Sequence, residues 1–224
     1  MAAILAIETA THLCSVAVGR EGSLLAERNE EGEGFVHAEK LHVLVAATMA
    51  GAGLRFADLG AVAVGIGPGS YTGLRIGLSA AKGFAHALGI PLLGVGTLDI
   101  LNAALPGADP HLVRRPMVDA RRMEVFTAAF TAAGRPLDSP GPLVLDEAWA
   151  RGPGDGSVVF GDGADKAAAL WAMAPGIVHV PGVRPWARAL LGLAEVRSRN
   201  GVVDDLAYLV PLYGKEAAVT RPRS

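Results

Sequence analysis

Three short strands in direct succession, followed by strands that alternate with helices, constrain this chain more than any other feature of it. Ile4 to Ile7 is an unbroken apolar run, CSVAVGR (Cys14 to Arg20) alternates, and GSLLAERNE (Gly22 to Glu30) begins at the turn residues Glu21 and Gly22. A helical stretch from about Ala38 to Ala52 leads to a strand over Ala61 to Ile66 and then to a glycine-rich loop. A helix from Thr72 to about Leu88, a strand in IPLLGV and a short helix from Thr97 to Ala104 follow. The order βββαβαβα predicts an α/β lobe with helices on both faces of its sheet. Pro106, Gly107 and Pro110 then punctuate the chain, which predicts two lobes, residues 1–106 and 107–224. The second stretch repeats the first in shorter form. It has strands near Met117 and from Glu124 to Phe130, and a Gly/Pro-rich connection from Gly134 to Gly156 with little regular structure. After these come a strand at Ser157 to Phe160, a turn over GDGAD, a helix over KAAALWAM, a strand at Ile177 to Val180 and a helix from Pro185 to about Arg197. Two such lobes leave a cleft between them.

The glycine-rich run GIGPGSYTGLRIGLSAAKG, Gly65 to Gly83, has the look of a phosphate-binding loop but fits neither common motif. No window reads G-x-x-x-x-G-K-[ST], and in the G-x-G-x-x-G frame the third glycine is replaced by Ser70 or Thr72. What is left is a strand, a tight Gly-Pro-Gly turn, the hydroxyls of Ser70, Tyr71 and Thr72, and a helix N-terminus whose free N–H groups attract anions. Ser70 or Thr72 acting simply as the helix N-cap accounts for the hydroxyls equally well. Along the helix, Arg75, Ser79, Lys82 and His86 form one polar stripe, while Gly73, Gly77 and Ala81 stack on another face. Each interior glycine costs up to about 1 kcal/mol relative to alanine, so close packing on that face is expected. The preceding helix has no charge between Lys40 and Arg55. Either it is buried within its own lobe, or the two helices together form a protein interface.

Composition narrows the function classes. With 51% hydrophobic and 19% charged residues, the chain is more apolar than an ordinary soluble domain, which predicts apolar surface covered by another chain. A net charge of -2 gives no electrostatic footprint for nucleic acid, and the excess of Lys and Arg beyond Arg184 reads as a solvated tail. Cys14 is the single cysteine, so no intrachain disulfide is possible and a reducing, cytoplasmic setting is expected. The opening MAAILAIETA lacks a basic region and carries Glu8, unlike a signal peptide, and no apolar run is long enough for a membrane span. Among six histidines only His37 and His42 are close in sequence, and a helix turns them about 140° apart, so no metal site is expected. There is no G-x-S-x-G elbow, and Cys14 has no base near it. Glu8, beside Thr9 and Thr11 at the end of the first strand, stands where a carboxylate can meet a magnesium-bound nucleotide. Asp119, Glu124 and Asp162 are cleft candidates by position, although Asp162 in GDGAD serves a turn as readily.

Several segments together resemble one family. ILAIETATHLCSVAVG, His37 with Leu41, GIGPGSYTGLRIGLSAAKGFAHALGIPLLGVGTLDIL, VDARRMEVF, FGDGA and PLYGKEA are similar in order and spacing to the bacterial TsaB (YeaZ) proteins over nearly the whole chain. The resemblance implies a two-lobed actin-like, hexokinase-like (ASKHA) α/β fold with a βββαβαβα N-terminal lobe and a smaller related C-terminal lobe. It implies a non-catalytic partner, without a cofactor, of TsaD, which installs threonylcarbamoyl on the adenosine next to the anticodon of ANN-decoding tRNAs. TsaE, an ATPase, is the further implied partner, a homodimer is left open, and tRNA is met only through the complex. TsaD relatives carry an H-x-x-x-H metal motif after the strand that is IPLLGV here, and Thr97 and Leu101 occupy those positions. In TsaB proteins the first two helices pair with those of TsaD or of a second TsaB. For this chain that implies an interface of His37, Leu41, Leu44, Val45 and Thr48 with Gly73, Leu74, Gly77, Leu78 and Ala81. Glu8, Gly67, Gly69 and Ser70 then become the relic of a nucleotide loop; at Glu8 many members have Asp. The competing expectation is an ATP-using kinase or ATPase of the actin-like class, with Glu8 and GDGA gripping Mg-ATP.

Overall fold

The computed structural model describes residues 2–32, 36–105, 107, 109, 111–152, 154 and 156–214. The expected boundary prolines Pro106 and Pro110, and the part of PLYGKEA from Lys215 onward, lie outside the described residues. The first sheet takes β1 (Ala3–Glu8), β2 (Leu13–Arg20), β3 (Ser23–Glu31), β4 (Leu59–Gly65) and β5 (Leu92–Val95) in the order β3-β2-β1-β4-β5. The hairpin strands β1, β2 and β3 pair antiparallel, whereas β4 and β5 join β1 in parallel through the crossover helices α1 (Val36–Gly51) and α2 (Tyr71–Leu88). With α3 (Thr97–Ala104) after β5, the βββαβαβα order is met.

The second sheet takes β6 (Val113–Asp119), β7 (Glu124–Thr127), β8 (Gly141–Val144), β9 (Ser157–Phe160) and β10 (Ile177–Val180), ordered β10-β9-β6-β7-β8. Two expectations are corrected here. The Gly/Pro-rich stretch from Gly134 to Gly156 holds a strand, β8, and a short helix, α4 (Glu147–Arg151), N-capped by the Asp146 carboxylate accepting from the Trp149 N–H at 2.8 Å. Pro142 is tolerated because β8 is an edge strand. The GDGAD segment opens a helical turn, α5 (Asp162–Asp165), and the helix after it is only α6 (Ala168–Trp171). Leu98, Leu101 and Leu105, in and just after α3, pack among Val118, Phe126 and Phe160, so this helix joins the two sheets in one apolar cluster.

Alternation divides the first sheet into two faces of different grain. Leu5, Ile7, Val16, Val18, Val62 and Val64 pack under α1 and α2. Their neighbours Ile4, Ala6, Ala17, Ala61 and Ala63 are smaller on average, and they receive Ala187, Leu190, Leu191 and Ala194 of α7 (Ala187–Arg199). Alanines on both sides bring the helix close to the sheet, where its few leucines fill the space. Thus α7, which follows the second sheet in the chain, covers the first sheet. Of the basic residues expected to form a solvated tail, Arg184, Arg188, Arg197 and Arg199 pair with Glu31 and Asp165, Glu27, Asp204 and Glu195 respectively, Arg188 and Arg199 staying about half exposed, while Lys215, Arg221 and Arg223 lie outside the described residues.

Candidate functional site

The carboxyl ends of β1, β4 and β5 bring Glu8, the glycine-rich loop and Thr97 to one edge of the first sheet. Glu8 is fully buried; its Oε1 accepts the Ala10 N–H at 2.6 Å, and burial pushes its pKa up to about 7. The β1–β2 turn then braces the loop. Ala10 O accepts the Ser70 N–H at 2.7 Å, and Thr9 Oγ1 donates to Gly73 O at 2.9 Å. Ser70 is the N-cap of α2, its Oγ accepting the Gly73 N–H at 3.2 Å, so the simple capping account holds. On the other side Gly67 O accepts the Thr97 N–H at 2.7 Å, and Ile66 O accepts the Leu212 N–H at 2.7 Å. Gly67, Gly69 and Gly73 are glycine because the Leu212, Ala10 and Thr9 carbonyls respectively occupy the space of a side chain. The chain itself fills both sides of the loop. PLYG gave no sign of this in the sequence, where only its family resemblance singled it out.

Polar groups of the second sheet gather nearby. The Asp119 N–H donates to Asp162 Oδ1 at 3.1 Å, Lys166 pairs with Asp119, and Lys166 Nζ donates to the Glu124 carbonyl at 2.6 Å. Burial holds the Asp162 carboxyl above its usual range. So Asp119 and Asp162 meet, while Glu124 joins them through its backbone. Asp165 binds His179 at 2.9 Å and Arg184 at 2.6 Å, and Arg184 reaches Glu31 of β3 at 3.1 Å, tying the sheets together. Cys14 is buried and its thiol pKa is pushed to about 12, first by burial, so it offers no thiolate.

The expected interface residues are used differently. Leu41, Leu44, Val45, Leu78 and Ala81 are in the core under the sheet, and Thr48 and Leu74 are fully buried. His37 is buried, its Nε2 donating to Leu13 O at 3.2 Å, and burial lowers its pKa. Gly73 and Gly77 face Thr9 of the same chain, where a methyl group would overlap its carbonyl and hydroxyl. The correction is physical: the small-residue stripe admits the β1–β2 turn rather than a partner. Outside, α1 exposes Ala38, Glu39 and Lys40 in its first turns and then His42, Val43, Ala46, Ala47, Ala50 and Gly51, with Val43 63% exposed; α2 exposes Tyr71, Thr72, Arg75, Ser79, Gly83, His86 and Ala87.

A family model described as "TsaD: tRNA N6-adenosine threonylcarbamoyltransferase" matches residues 34–147. An uncharacterized protein of Mycobacterium tuberculosis is 40% identical over 212 residues, 94% of this chain and 90% of that protein. The "tRNA threonylcarbamoyladenosine biosynthesis protein TsaB" of Escherichia coli is 35% identical over 127 residues, 57% of this chain and 54% of that protein. Among solved structures, YeaZ from Pseudomonas aeruginosa superposes with a TM-score of 0.76 and 28% identity, covering 95% of this chain and 100% of its own. The chain belongs to the TsaB (YeaZ) family. Its two mixed sheets with helices are the actin-like, hexokinase-like architecture expected of a TsaB member. Thr97 and Leu101, the positions at which the resemblance implies that metal-binding histidines are lost, are fully buried, Leu101 within the apolar cluster shared by the sheets. Among the described residues no group of three or more His, Cys, Asp or Glu is placed to hold a metal ion, and no helix is long and apolar enough to cross a membrane.

Proposed function

We propose that this chain is a non-catalytic partner subunit in the formation of threonylcarbamoyladenosine in tRNA, activating a TsaD-type transferase together with a TsaE-type ATPase. One observation carries the docking part of this reading: α1 turns Val43, Ala46, Ala47 and Ala50 to solvent, an apolar stripe at helical spacing. Side chains this small let another helix approach closely, and the corresponding helices of a TsaD-type protein are the occupant, with a second copy of this chain as competitor. Leu41, Leu44 and Val45 support the stripe from beneath instead of forming it. Catalysis is assigned to the partner because Thr97 and Leu101 supply no metal ligand, and the tRNA to the assembled complex because the net charge is -2. A tRNA substrate places the chain in the cytoplasm.

The test mixes this chain with a TsaD from a related bacterium, measures the mass of the complex by light scattering, and assays threonylcarbamoyl transfer to tRNA with and without it. A heterocomplex whose activity requires this chain is expected, as is loss of pairing in Ala47→Arg with an unchanged melting temperature. Pairing that survives Ala47→Arg overturns the docking face. Calorimetry with Mg-ATP separates the kinase reading. Binding and turnover of ATP by the chain alone would replace the scaffold by an enzyme that uses Glu8 and Asp162.

A further inference from the structure

After α7 the chain returns across the first sheet as a strap with two attachments of unequal strength. Upstream, the Asp204 N–H donates to Leu92 O at 3.0 Å, and its carboxylate accepts the Gly94 N–H at 2.7 Å and the Arg197 guanidinium at 2.9 Å. Leu206 and Leu209 pack on the core, and Lys82 Nζ donates to Ala207 O at 3.2 Å. Downstream, the Leu212 N–H bond to Ile66 O is joined by the Tyr213 ring, 4.7 Å from that of Tyr71, and by Gly214, seated against Phe126 and Pro68. Tyr208, Val210 and Leu212 point outward at 81%, 62% and 51% exposure. Among the described residues the downstream part has fewer ties than the Asp204 attachment, and segments held in that way are the ones that open locally below the free energy of global unfolding.

The downstream part touches three elements at once: the end of β4 through Ile66, the first turn of α2 through Tyr71, and β7 of the second sheet through Phe126. Tyr71 in turn holds Arg75, whose Nη1 donates to the phenol oxygen at 2.8 Å and whose guanidinium lies 5.0 Å from the ring centroid. We propose that residues 210–214 form a latch coupling the first turn of α2 to the second sheet. Seated, the latch fixes the glycine-rich loop, Tyr71 and Phe126 in one arrangement; released, it frees the loop from the second sheet and lets Arg75 move on the outer side of α2. This device goes beyond the partner role, and its test needs no partner.

The experiment is amide hydrogen exchange on the full chain and on Tyr213→Ala, with the Phe126 ring signals followed by NMR. In the unaltered chain the Leu212 amide is expected to exchange at least about tenfold faster than those of Asp204 and Val64. Tyr213→Ala is expected to speed Leu212 roughly tenfold more, to speed Gly73 and Leu74 in the first turns of α2, and to shift the Phe126 signals, with Asp204 unchanged. Gly214→Val, whose side chain has no room beside Phe126 and whose φ of 69° disfavours it, should do the same by an independent route. Equal exchange at Leu212 and Asp204 overturns the latch, and so does a Tyr213→Ala chain in which Gly73, Leu74 and Phe126 are unmoved.

Discussion

Glu8 Oε2 lies so close against Gly65 that a methyl group there would overlap the carboxyl, and among the described residues that oxygen has no hydrogen-bond partner. Burial raises the Glu8 pKa from 4.5 to about 7. A carboxyl whose pKa is higher in the folded state favours folding while it is protonated. Its contribution is therefore whole below the unfolded value and is lost as pH rises through the folded one. The difference amounts to roughly 3 kcal/mol between about pH 4 and pH 8. Glu8→Gln keeps an acceptor for Ala10 and does not ionise. Urea midpoints of the two proteins should coincide near pH 4.5 and diverge in favour of Gln above pH 7, and parallel pH profiles would refute this.

Two glycines of α2 should respond in opposite directions to the same change. Gly77→Ala drives a methyl group into the Thr9 hydroxyl, and a loss of about 2–3 kcal/mol is expected. Gly83 is exposed, with open space at its Cβ, so Gly83→Ala should add about 0.5–1 kcal/mol. Thermal melts of both variants check the pair together.

Arg121 and Arg122, at the tip between β6 and β7, have φ of 70° and 51°. Left-handed backbone disfavours such side chains by about 1–2 kcal/mol each, and Asn-Gly is the sequence suited to it. The double change Arg121→Asn with Arg122→Gly is expected to raise the denaturation midpoint. An unchanged or lower midpoint would mean that the arginine side chains themselves hold the tip.

Arg114 is a buried cation that serves carbonyl groups instead of a carboxylate. Its Nη2 donates to Asn102 O at 2.6 Å and to Leu105 O at 3.2 Å, closing the end of α3. Arg114→Met preserves much of the apolar stem but removes the donor to both carbonyls, leaving Asn102 O only the long bond from the Leu105 N–H, at a loss of about 2–3 kcal/mol. Chemical denaturation measures it; a loss below about 0.5 kcal/mol would show that water replaces the guanidinium.

The strands and crossover helices of the first sheet could be read from the chain because alternation in β2 and the small and apolar spacing in α2 are local signals. What each face meets is not local. The Gly73, Gly77 and Ala81 stripe announced a close approach without saying that Thr9, some seventy residues upstream, makes it. The strand β8 was hidden by its four-residue length and by Pro142, and α5 by a GDGAD sequence that suits a turn equally. The apolar side of α7 was legible, but nothing in its period distinguishes the alanine face of the first sheet from the nearer second sheet. For the same reason Leu41 and Val45 were expected at a surface that Val43 and Ala47 occupy.

The placement of α7 also sets a timetable for synthesis. The sheet whose first strand starts at Ala3 receives its second cover only from residues beyond Ala187. At about 5–20 residues per second, that helix leaves the ribosome roughly ten to forty seconds after β1. During this interval Ile4, Ala6, Ala17, Ala61 and Ala63 have no helix over them. The amino-terminal half therefore emerges as an unfinished layer with its alanine face bare, and that face is closed only when α7 is free to fold back.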